Sequence, residues 1–141
     1  MKRNEYILDT IIPFGQCDTL VRLRTESIFK LFQDMASRHA IFLGVDDFSL
    51  LENDNAMWVV SKTKVKVNKL PVWNDEVSVR TWPMGAEGVR CNRCYQIIKD
   101  GEVVINAITE WVIIDATTRT LRKVETTSYP NDIDWIKEKS I

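Results

Sequence analysis

The feature that most constrains the fold of this chain is one stretch of helical periodicity that is followed only by strand patterns. Apolar residues recur at three- and four-residue steps across residues 25–43, which indicates one helix of about five turns. Thr25 can serve as its N-cap, Glu26 suits its first turn, and Gly44 follows as a C-terminal stop. Few of its positions are polar, mainly Lys30, Gln33, Asp34, Ser37 and Arg38. We therefore expect a helix that is wrapped on most of its sides.

Strand patterns account for most of the remaining sequence. β-branched residues mark a first strand before the helix, at residues 6–14, and period-two alternation marks four more after it. These four are predicted at residues 57–67, 77–83, 89–98 and 102–115. Asp100-Gly101 is predicted to form the tight turn between the last two.

Two segments show neither the helical period nor the period-two alternation of a strand. The acidic stretch 45–56 is predicted to be a loop with at most one short turn at 46–51, and the tail 125–141 to be weakly ordered or a short helix. The whole order predicts a single α+β domain over residues 1–141, in which one long central helix is wrapped by a curved antiparallel sheet of about five or six strands. Because such a sheet leaves an open edge and a far face, pairing with a second copy is expected.

The composition narrows the range of partners. Acidic and basic residues nearly cancel, with a net charge of -1, so no global field favours nucleic acid or an anionic membrane. No stretch approaches the roughly 18 apolar residues of a membrane-spanning helix. The three cysteines, Cys17, Cys91 and Cys94, fit free thiols in a reducing compartment, which predicts a cytoplasmic protein. Cys91 and Cys94 lie three apart in a strand and so point to opposite faces, and no metal site is expected.

Several strings, in order along about a hundred residues, are similar to those of one known family. They are Leu31-Phe32-Gln33-Asp34-Met35-Ala36-Ser37-Arg38-His39-Ala40 with Leu43-Gly44, Trp58-Val59-Val60, Leu70-Pro71-Val72-Trp73-Asn74-Asp75-Glu76-Val77, Thr81-Trp82-Pro83, Glu110-Trp111-Val112-Ile113-Ile114-Asp115 and Thr118-Arg119. On these strings the chain resembles the hot-dog fold and, more narrowly, the acyl-acyl-carrier-protein thioesterases of plants and bacteria. The resemblance implies hydrolysis of fatty acyl thioesters in lipid metabolism, on acyl-carrier protein or coenzyme A, without a cofactor.

The resemblance is to the N-terminal half of a family whose usual members carry two hot-dog domains in tandem. In that family the catalytic set lies in the C-terminal half, as an Asp-x-Asn-x-His run before the helix and an acidic residue within the helix. The corresponding run here is Asp18-Thr19-Leu20-Val21-Arg22, which keeps the Asp and lacks the Asn and the His. The acidic position of the helix falls at Asp34.

Thioester hydrolysis needs a nucleophile or a base, and donors for the oxyanion that develops on the carbonyl. The resemblance implies that the backbone N–H groups at the helix start, at Thr25, Glu26 and Ser27, are those donors. Asp34 is the first candidate for the base or nucleophile, because a carboxylate on the narrow polar arc of an apolar helix would be partly desolvated at a cavity shared by two copies. A surface ion pair with Arg38, one turn later, explains Asp34 equally well.

The other candidates for catalysis each have a structural explanation beside a functional one. Asp18 either orients a water molecule or caps its own turn, and Gln33 either orients a water molecule or is simply solvated. His39 is the only histidine and hence a candidate acid or base. Its place in the centre of the apolar stripe favours a satisfied core or interface residue.

Five residues are candidates for substrate contact, namely Arg90, Asn92, Trp58, Lys64 and Lys66. Arg90 and Asn92 share a strand face that could meet the pantetheine arm, although a solvated sheet face explains them as well. Lysines on one side of the strand 57–67 would suit an acidic carrier protein or a coenzyme phosphate, and edge-strand protection is their commoner role. Large aromatics such as Trp58, Trp73, Trp82 and Trp111 would line an acyl pocket, or form ordinary core.

These observations predict a cytoplasmic homodimer, or a tetramer made of two such dimers, that hydrolyses fatty acyl thioesters with Asp34 as base or nucleophile. The competing hypothesis is a non-catalytic acyl-binding or partner module, which the loss of Asn and His at Leu20 and Arg22 favours. An acyl dehydratase on the same scaffold would usually carry a histidine near the helix start, and this chain has none there.

Overall fold

An open antiparallel sheet of six strands and two helices make up the fold, and the computed structural model describes residues 1–141. The strands are β1 (Tyr6–Ile11), β2 (Ala56–Val67), β3 (Glu76–Glu87), β4 (Arg90–Lys99), β5 (Glu102–Asp115) and β6 (Leu121–Arg122). The helices are α1 (Thr25–Leu43) and α2 (Asp47–Asp54), and short 3-10 turns lie at Phe14–Gln16 and Val124–Thr126. The α+β class is confirmed, but the expectation of one helix is not, because a second helix follows the first.

The strands are ordered β1-β3-β4-β5-β2, and β6 pairs with the end of β5. The predicted turn between β4 and β5 is confirmed, because Asp100 and Gly101 both take positive φ values, 51° and 77°. The prediction that a strand ends at Pro83 is wrong. β3 continues to Glu87 because its register shifts between Pro83 and Ala86, and such a bulge accommodates a residue that cannot donate to the ladder.

Helix α1 has the bounds that the periodicity predicts, although its N-cap is Arg24 rather than Thr25 and no side chain caps it. Gly44 ends it in the left-handed conformation, with φ of 74°, as predicted. Its buried side carries Ser27, Ile28, Phe32, Met35, Ala36 and His39. The opposite side is open and exposes the apolar residues Phe29, Ile41 and Phe42. The expectation of a helix wrapped on most sides is therefore wrong for the single chain.

The predicted loop 45–56 contains helix α2 instead. Its N-cap is Asp46, whose carboxylate accepts hydrogen bonds from the Ser49 hydroxyl at 2.6 Å and from the Ser49 backbone N–H at 3.4 Å. Asn55 ends the helix with a positive φ of 51°. Only Leu50 of this short helix is buried, so capping rather than an apolar stripe defines it.

The tail beyond residue 126 has no regular secondary structure, but contacts with the rest of the chain hold it in place. Tyr129 and Trp135 stack with ring centroids 5.5 Å apart, and Tyr129 is buried. The indole N–H of Trp82 donates to the Glu138 carbonyl at 2.9 Å, and Ser128 bonds to the carboxylate of Asp54. The contacts with Trp82 and Asp54 are long-range and leave no local pattern in the sequence. No helix follows the 3-10 turn Val124–Thr126, and the expectation of weak order in the tail stays a prediction.

Two apolar clusters form the core. The larger one joins the buried side of α1 to the inner faces of β3, β4 and β5, with Phe32 and Tyr95 packed at a centroid distance of 4.8 Å. The smaller one lies beneath α2 and includes Leu50, Cys91 and Tyr129. Neither helix combines the length and the apolarity that crossing a membrane requires.

Candidate functional site

A cavity of about 280 Å³ lies between the C-terminal half of α1, the start of α2 and the sheet. Its lining is mostly apolar and includes Ala36, Ala40, Ile41, Trp58, Cys91 and Trp111. The indole N–H of Trp58 donates to the Val45 carbonyl at 2.8 Å, which fixes the ring against the connection between the helices. Trp58 and Trp111 meet edge to face at 6.2 Å. The cavity is therefore rigidly walled and suited to an apolar ligand.

One cationic side chain, Arg93, lies in this mostly apolar wall, whose lining also includes the carboxylates of Asp46 and Asp47. It is 7% exposed, and its Nη1 group donates to His39 Nδ1 at 3.0 Å and to Thr81 Oγ1 at 3.2 Å. A guanidinium only donates, so His39 Nδ1 must be the acceptor and the ring proton is on Nε2. That Nε2–H group donates to the Lys2 carbonyl at 2.9 Å.

His39 is thus a fully buried, neutral core histidine with both ring nitrogens occupied. Burial and then the neighbouring Arg93 cation lower its pKa to about 4. The structural explanation of this residue is the one that the geometry supports. As placed, it offers no free nitrogen to a substrate.

A thiol, a phenol and an indole also line the cavity, beside Ser37, Asn92 and the two carboxylates. Burial raises the pKa of Cys91 to about 11, so this thiol is protonated near neutral pH. Burial also raises the pKa of Tyr129 well above its usual value. The Tyr129 hydroxyl and the Trp111 Nε1–H group are enclosed without a hydrogen-bond partner in the chain. All three cysteines are free.

Asp34, the first candidate for the base, does not line this cavity. Its side chain is 54% exposed on the open side of α1 and accepts a hydrogen bond from Arg38 Nε at 2.9 Å. The expectation of a partly desolvated carboxylate is not met by the single chain, because the neighbouring Met35 and Ala36 take the side that faces the sheet. Gln33 is likewise exposed beside it.

Asp18 is a turn residue in the structure. Its carboxylate accepts hydrogen bonds from the backbone N–H groups of Leu20 at 2.8 Å and Arg22 at 3.0 Å, and it pairs with the Arg22 guanidinium at 3.2 Å. The N–H group of Arg22 is the main cause that holds the pKa of Asp18 below its usual value. This is the capping arrangement that an Asp in a turn commonly adopts.

The start of α1 provides open backbone donors, although fewer than the sequence suggests. The N–H groups of Thr25 and Glu26 have no backbone acceptor, whereas the Ser27 N–H donates to the Arg24 carbonyl at 3.0 Å and its side chain is buried. Thr25 and Asp34 are nine residues apart, which is about 13 Å along a helix axis. The two therefore cannot act on one thioester carbonyl from the same chain.

The candidates for substrate contact are divided between the cavity and the surface. Trp58 and Asn92 line the cavity, and Trp111 does so too. Arg90 is exposed and pairs with Glu110 at 3.5 Å. Lys64 and Lys66 are exposed on β2, an edge strand of the sheet. Trp73 is half exposed against Phe14 and Trp82 is buried beneath the tail, so neither lines the cavity.

Arg93 was not among the predicted site residues, although the sequence contains a signal for it. It occupies the same strand face as Cys91, Tyr95 and Ile97, all of them buried. A charge in an otherwise buried register is the informative exception to an apolar pattern.

Comparisons with known proteins show which sequences and folds this chain is similar to. A family model described as the acyl-ACP thioesterase N-terminal domain matches residues 4–130. Oleoyl-acyl carrier protein thioesterase 1 of Arabidopsis thaliana, a chloroplastic protein, is 33% identical over 107 residues, which cover 70% of this chain and 29% of the relative. A chloroplastic acyl-[acyl-carrier-protein] hydrolase of Cuphea viscosissima is 30% identical over 107 residues, which cover 70% of this chain and 26% of the relative. The chain thus spans about a quarter of the length of these relatives.

A solved structure extends the likeness to the fold. An acyl-ACP thioesterase from Bacteroides thetaiotaomicron superposes with a TM-score of 0.83 at 22% identity, over 98% of this chain and 60% of that chain. The six-stranded sheet with its two helices is therefore the fold of such thioesterases.

Proposed function

This chain belongs to the acyl-ACP thioesterase family, with its match in the N-terminal domain of that family, and from this premise we propose that it hydrolyses fatty acyl thioesters to the free acid and the thiol. Acyl-carrier-protein thioesters are the preferred substrates and coenzyme A thioesters the second choice, because the relatives are named for acyl-carrier-protein substrates. The observation that carries the proposal is the apolar cavity beside Trp58 and Trp111, within a chain that matches the family over residues 4–130.

The cavity has the chemistry of an acyl-chain site. Aromatic and small aliphatic side chains such as Ala36 and Ala40 line it, and burial of each methylene of a ligand contributes about 0.8 kcal/mol. The aromatic walls are held by packing and by the hydrogen bond of Trp58, so they need little reorganisation on binding. Asn92 also lines the cavity, at the position of β4 between Cys91 and Arg93.

Two copies are needed to assemble the proposed chemistry. Asp34 acts as base or nucleophile, and the free N–H groups of Thr25 and Glu26 bind the oxyanion. Because these groups lie about 13 Å apart along one helix, the site combines Asp34 of one chain with the helix start of another. The exposed apolar side of α1 and the free edge of β2 support a homodimer, and a tetramer would pair two such dimers.

The second candidate function is a non-catalytic acyl-binding or partner module. The exposed Asp34, paired with Arg38, and the Asp18 turn support it, because neither carboxylate meets the cavity in the single chain. An N-terminal-type domain would then shape the acyl pocket for a separate catalytic domain.

The proposal also covers the surface that contacts the carrier and the cellular location of the protein. Lys64 and Lys66 form an exposed basic stripe that suits an acidic carrier protein or a coenzyme phosphate. A cytoplasmic location is supported by the three free cysteines, which fit a reducing compartment, while the plant relatives are chloroplastic.

A thiol-release assay tests the activity. Purified protein is given acyl-carrier-protein and coenzyme A thioesters of several chain lengths, and release of the free thiol is followed. We expect turnover by the natural chain and its loss in Asp34→Asn, which keeps the size of the side chain and removes the carboxylate. Glu52→Gln, which neutralises an exposed carboxylate on α2, is the matched control.

The outcomes separate the two candidate functions. No turnover above background, or an Asp34→Asn variant as active as the natural chain, would remove the catalytic assignment. Tight binding of an acyl thioester without hydrolysis, or copurification with a second hot-dog chain, would select the partner module.

A further inference from the structure

Arg93 is a buried cation without a counterion. It is 7% exposed, and all eight ion pairs of the chain involve other residues. Its two hydrogen-bond partners, His39 and Thr81, are both neutral. A buried guanidinium normally has a carboxylate or phosphate partner, because an unpaired buried charge is strongly destabilising. The charge of Arg93 is therefore uncompensated within the chain.

Two of the three nitrogen groups of Arg93 have no acceptor. Its Nη1 group makes both of its hydrogen bonds, which leaves the N–H groups of Nε and Nη2 without acceptors. The fully enclosed polar side-chain atoms without a partner are Trp111 Nε1 and the Tyr129 hydroxyl, so the free donors of Arg93 are not completely sealed in the interior. Arg93 is one of the residues that line the cavity, and the cavity is therefore the space beside it that a ligand could occupy.

The other unsatisfied polar atoms at the cavity are of the same kind. Trp111 Nε1 can only donate, and the Tyr129 hydroxyl has a proton to donate. Two carboxylates lie at the rim, but Asp46 is engaged with Ser49 as the cap of α2, and Asp47 is exposed. The cavity thus presents these donors and one positive charge within a mostly apolar lining, which also includes Ser37 and Asn92.

From this arrangement we infer that the cavity binds an apolar chain that ends in a carboxylate, with the carboxylate oxygens paired to the Nε and Nη2 groups of Arg93. The planar fork of a guanidinium matches the two oxygens of a carboxylate, and the interaction is strong when both groups are withdrawn from water. This binding requires no hydrolysis, so it stands apart from the proposed thioesterase activity.

Two sources share this chemistry. One is a free fatty acid, and the other is an acyl chain whose far end carries a carboxylate. Calorimetric titration with decanoate and with the monomethyl ester of decanedioic acid distinguishes them, because the second ligand carries an ester where the first has a methyl group. Tighter binding of decanoate identifies a free fatty acid, and tighter binding of the half-ester identifies the carboxylate-ended acyl chain.

Matched ligands and variants test the role of the charge. Decanoate is expected to bind at least tenfold more tightly than decanol or decanamide, and Arg93→Gln is expected to weaken decanoate binding by about tenfold to a hundredfold while changing decanol binding little. Arg93→Lys, which keeps the charge and loses the fork, should fall between. Arg119→Gln removes an exposed guanidinium from the surface and is expected to leave decanoate binding unchanged.

The ligand comparison decides the question even if Arg93→Gln fails to fold, because it uses the unaltered chain. Equal affinities for decanoate and decanol, or no binding of any carboxylate-ended ligand, would overturn the inference. A chain that binds decanoate selectively and releases no thiol would support the inference and remove the thioesterase proposal, so the two failures are distinguishable.

Discussion

His39 and Arg93 are bonded to each other in the core, with Nη1 of the guanidinium donating to Nδ1 of the imidazole at 3.0 Å. The opposite ring nitrogen donates to the Lys2 carbonyl, so the pair links α1, β4 and the segment before β1. This arrangement works only with a neutral imidazole, since a protonated Nδ1 could not accept from the guanidinium. The one histidine of the chain is thereby a structural residue, and protonation of its Nδ1 would break the hydrogen bond to Arg93.

The first prediction concerns acid stability. The pKa of His39 is about 4 in the folded chain and 6.5 as its ordinary value, so the unfolded chain binds more protons between these limits. The contribution of neutral His39 to the free energy of unfolding is therefore fully present above pH 6.5 and is lost as the pH falls toward 4. Between pH 6.5 and about pH 5 we expect the free energy of unfolding to fall by about 2 kcal/mol. Most carboxylates have pKa values below this pH range, so they contribute little to the change.

Urea denaturation followed by tryptophan fluorescence measures the free energy of unfolding at each pH, and hence the slope of this free energy against pH. His39→Gln can still accept from Arg93 and donate to Lys2 but does not titrate, so its slope in the same window should be nearly flat. Identical slopes for the two proteins would show that His39 is not the titrating group.

The second prediction separates activity from stability at Asp34. The ion pair with Arg38 is exposed, and exposed pairs contribute little to folding, so Asp34→Ala should keep the urea midpoint of the natural chain. Phe32→Ala, which empties a position on the buried side of the same helix, should instead lose about 3–5 kcal/mol. A large destabilisation by Asp34→Ala would mean that any loss of its activity reports unfolding.

The third prediction concerns the tail. A Cβ atom at Gly85 would lie 3.0 Å from Cδ1 of Trp135, so Gly85→Ala should push this ring away and cost about 1–3 kcal/mol. Trypsin cleavage after Lys137 or Lys139 should then be faster than in the natural chain. Gly15→Ala is the control, since a Cβ there meets nothing within 4 Å. Equal cleavage rates for Gly85→Ala and the natural chain would show that the Trp135 contact does not hold the tail.

The fourth prediction concerns assembly. If the open side of α1 pairs with a second copy, replacing the exposed Phe29 and Phe42 by Gln should shift the sedimentation mass from dimer to monomer. Lys30→Gln, on the same exposed side, should leave the dimer intact. A natural chain that sediments as a monomer at all concentrations would contradict the two-copy site.

The parts of the fold that have strong local signals could be predicted from the sequence. The period of α1, its stop at Gly44 and the Asp100-Gly101 turn all depend on a few neighbouring residues. Helix α2 was missed because its apolar content is low, although Asp46 before Ser49 is a recognisable cap. The position of the tail could not be predicted, because it depends on the contact between Trp135 and Gly85, which are fifty residues apart in the chain.

The site was less predictable than the fold. Periodicity gave the polar arc of α1 correctly, but which side of a helix meets a cavity depends on how the sheet packs, and Asp34 came to lie in solvent. Trp58 and Asn92 do line the cavity, although alternation alone would turn the Asn92 side chain to the face opposite Cys91 and Arg93. The sequence marks Arg93 as a charge in a buried strand register, but that the charge is uncompensated follows only from its partners His39 and Thr81, neither of which is negatively charged.

The measurement that bears most directly on the proposed function is the position of a bound acyl group. A crystal structure with S-decyl pantetheine, a thioether that has no carbonyl group to hydrolyse, should show the decyl chain between α1 and β4–β5, in contact with Trp58 and Trp111. A thioether that binds with its chain outside this cavity, or that does not bind at all, would contradict the assignment of the cavity to the acyl group.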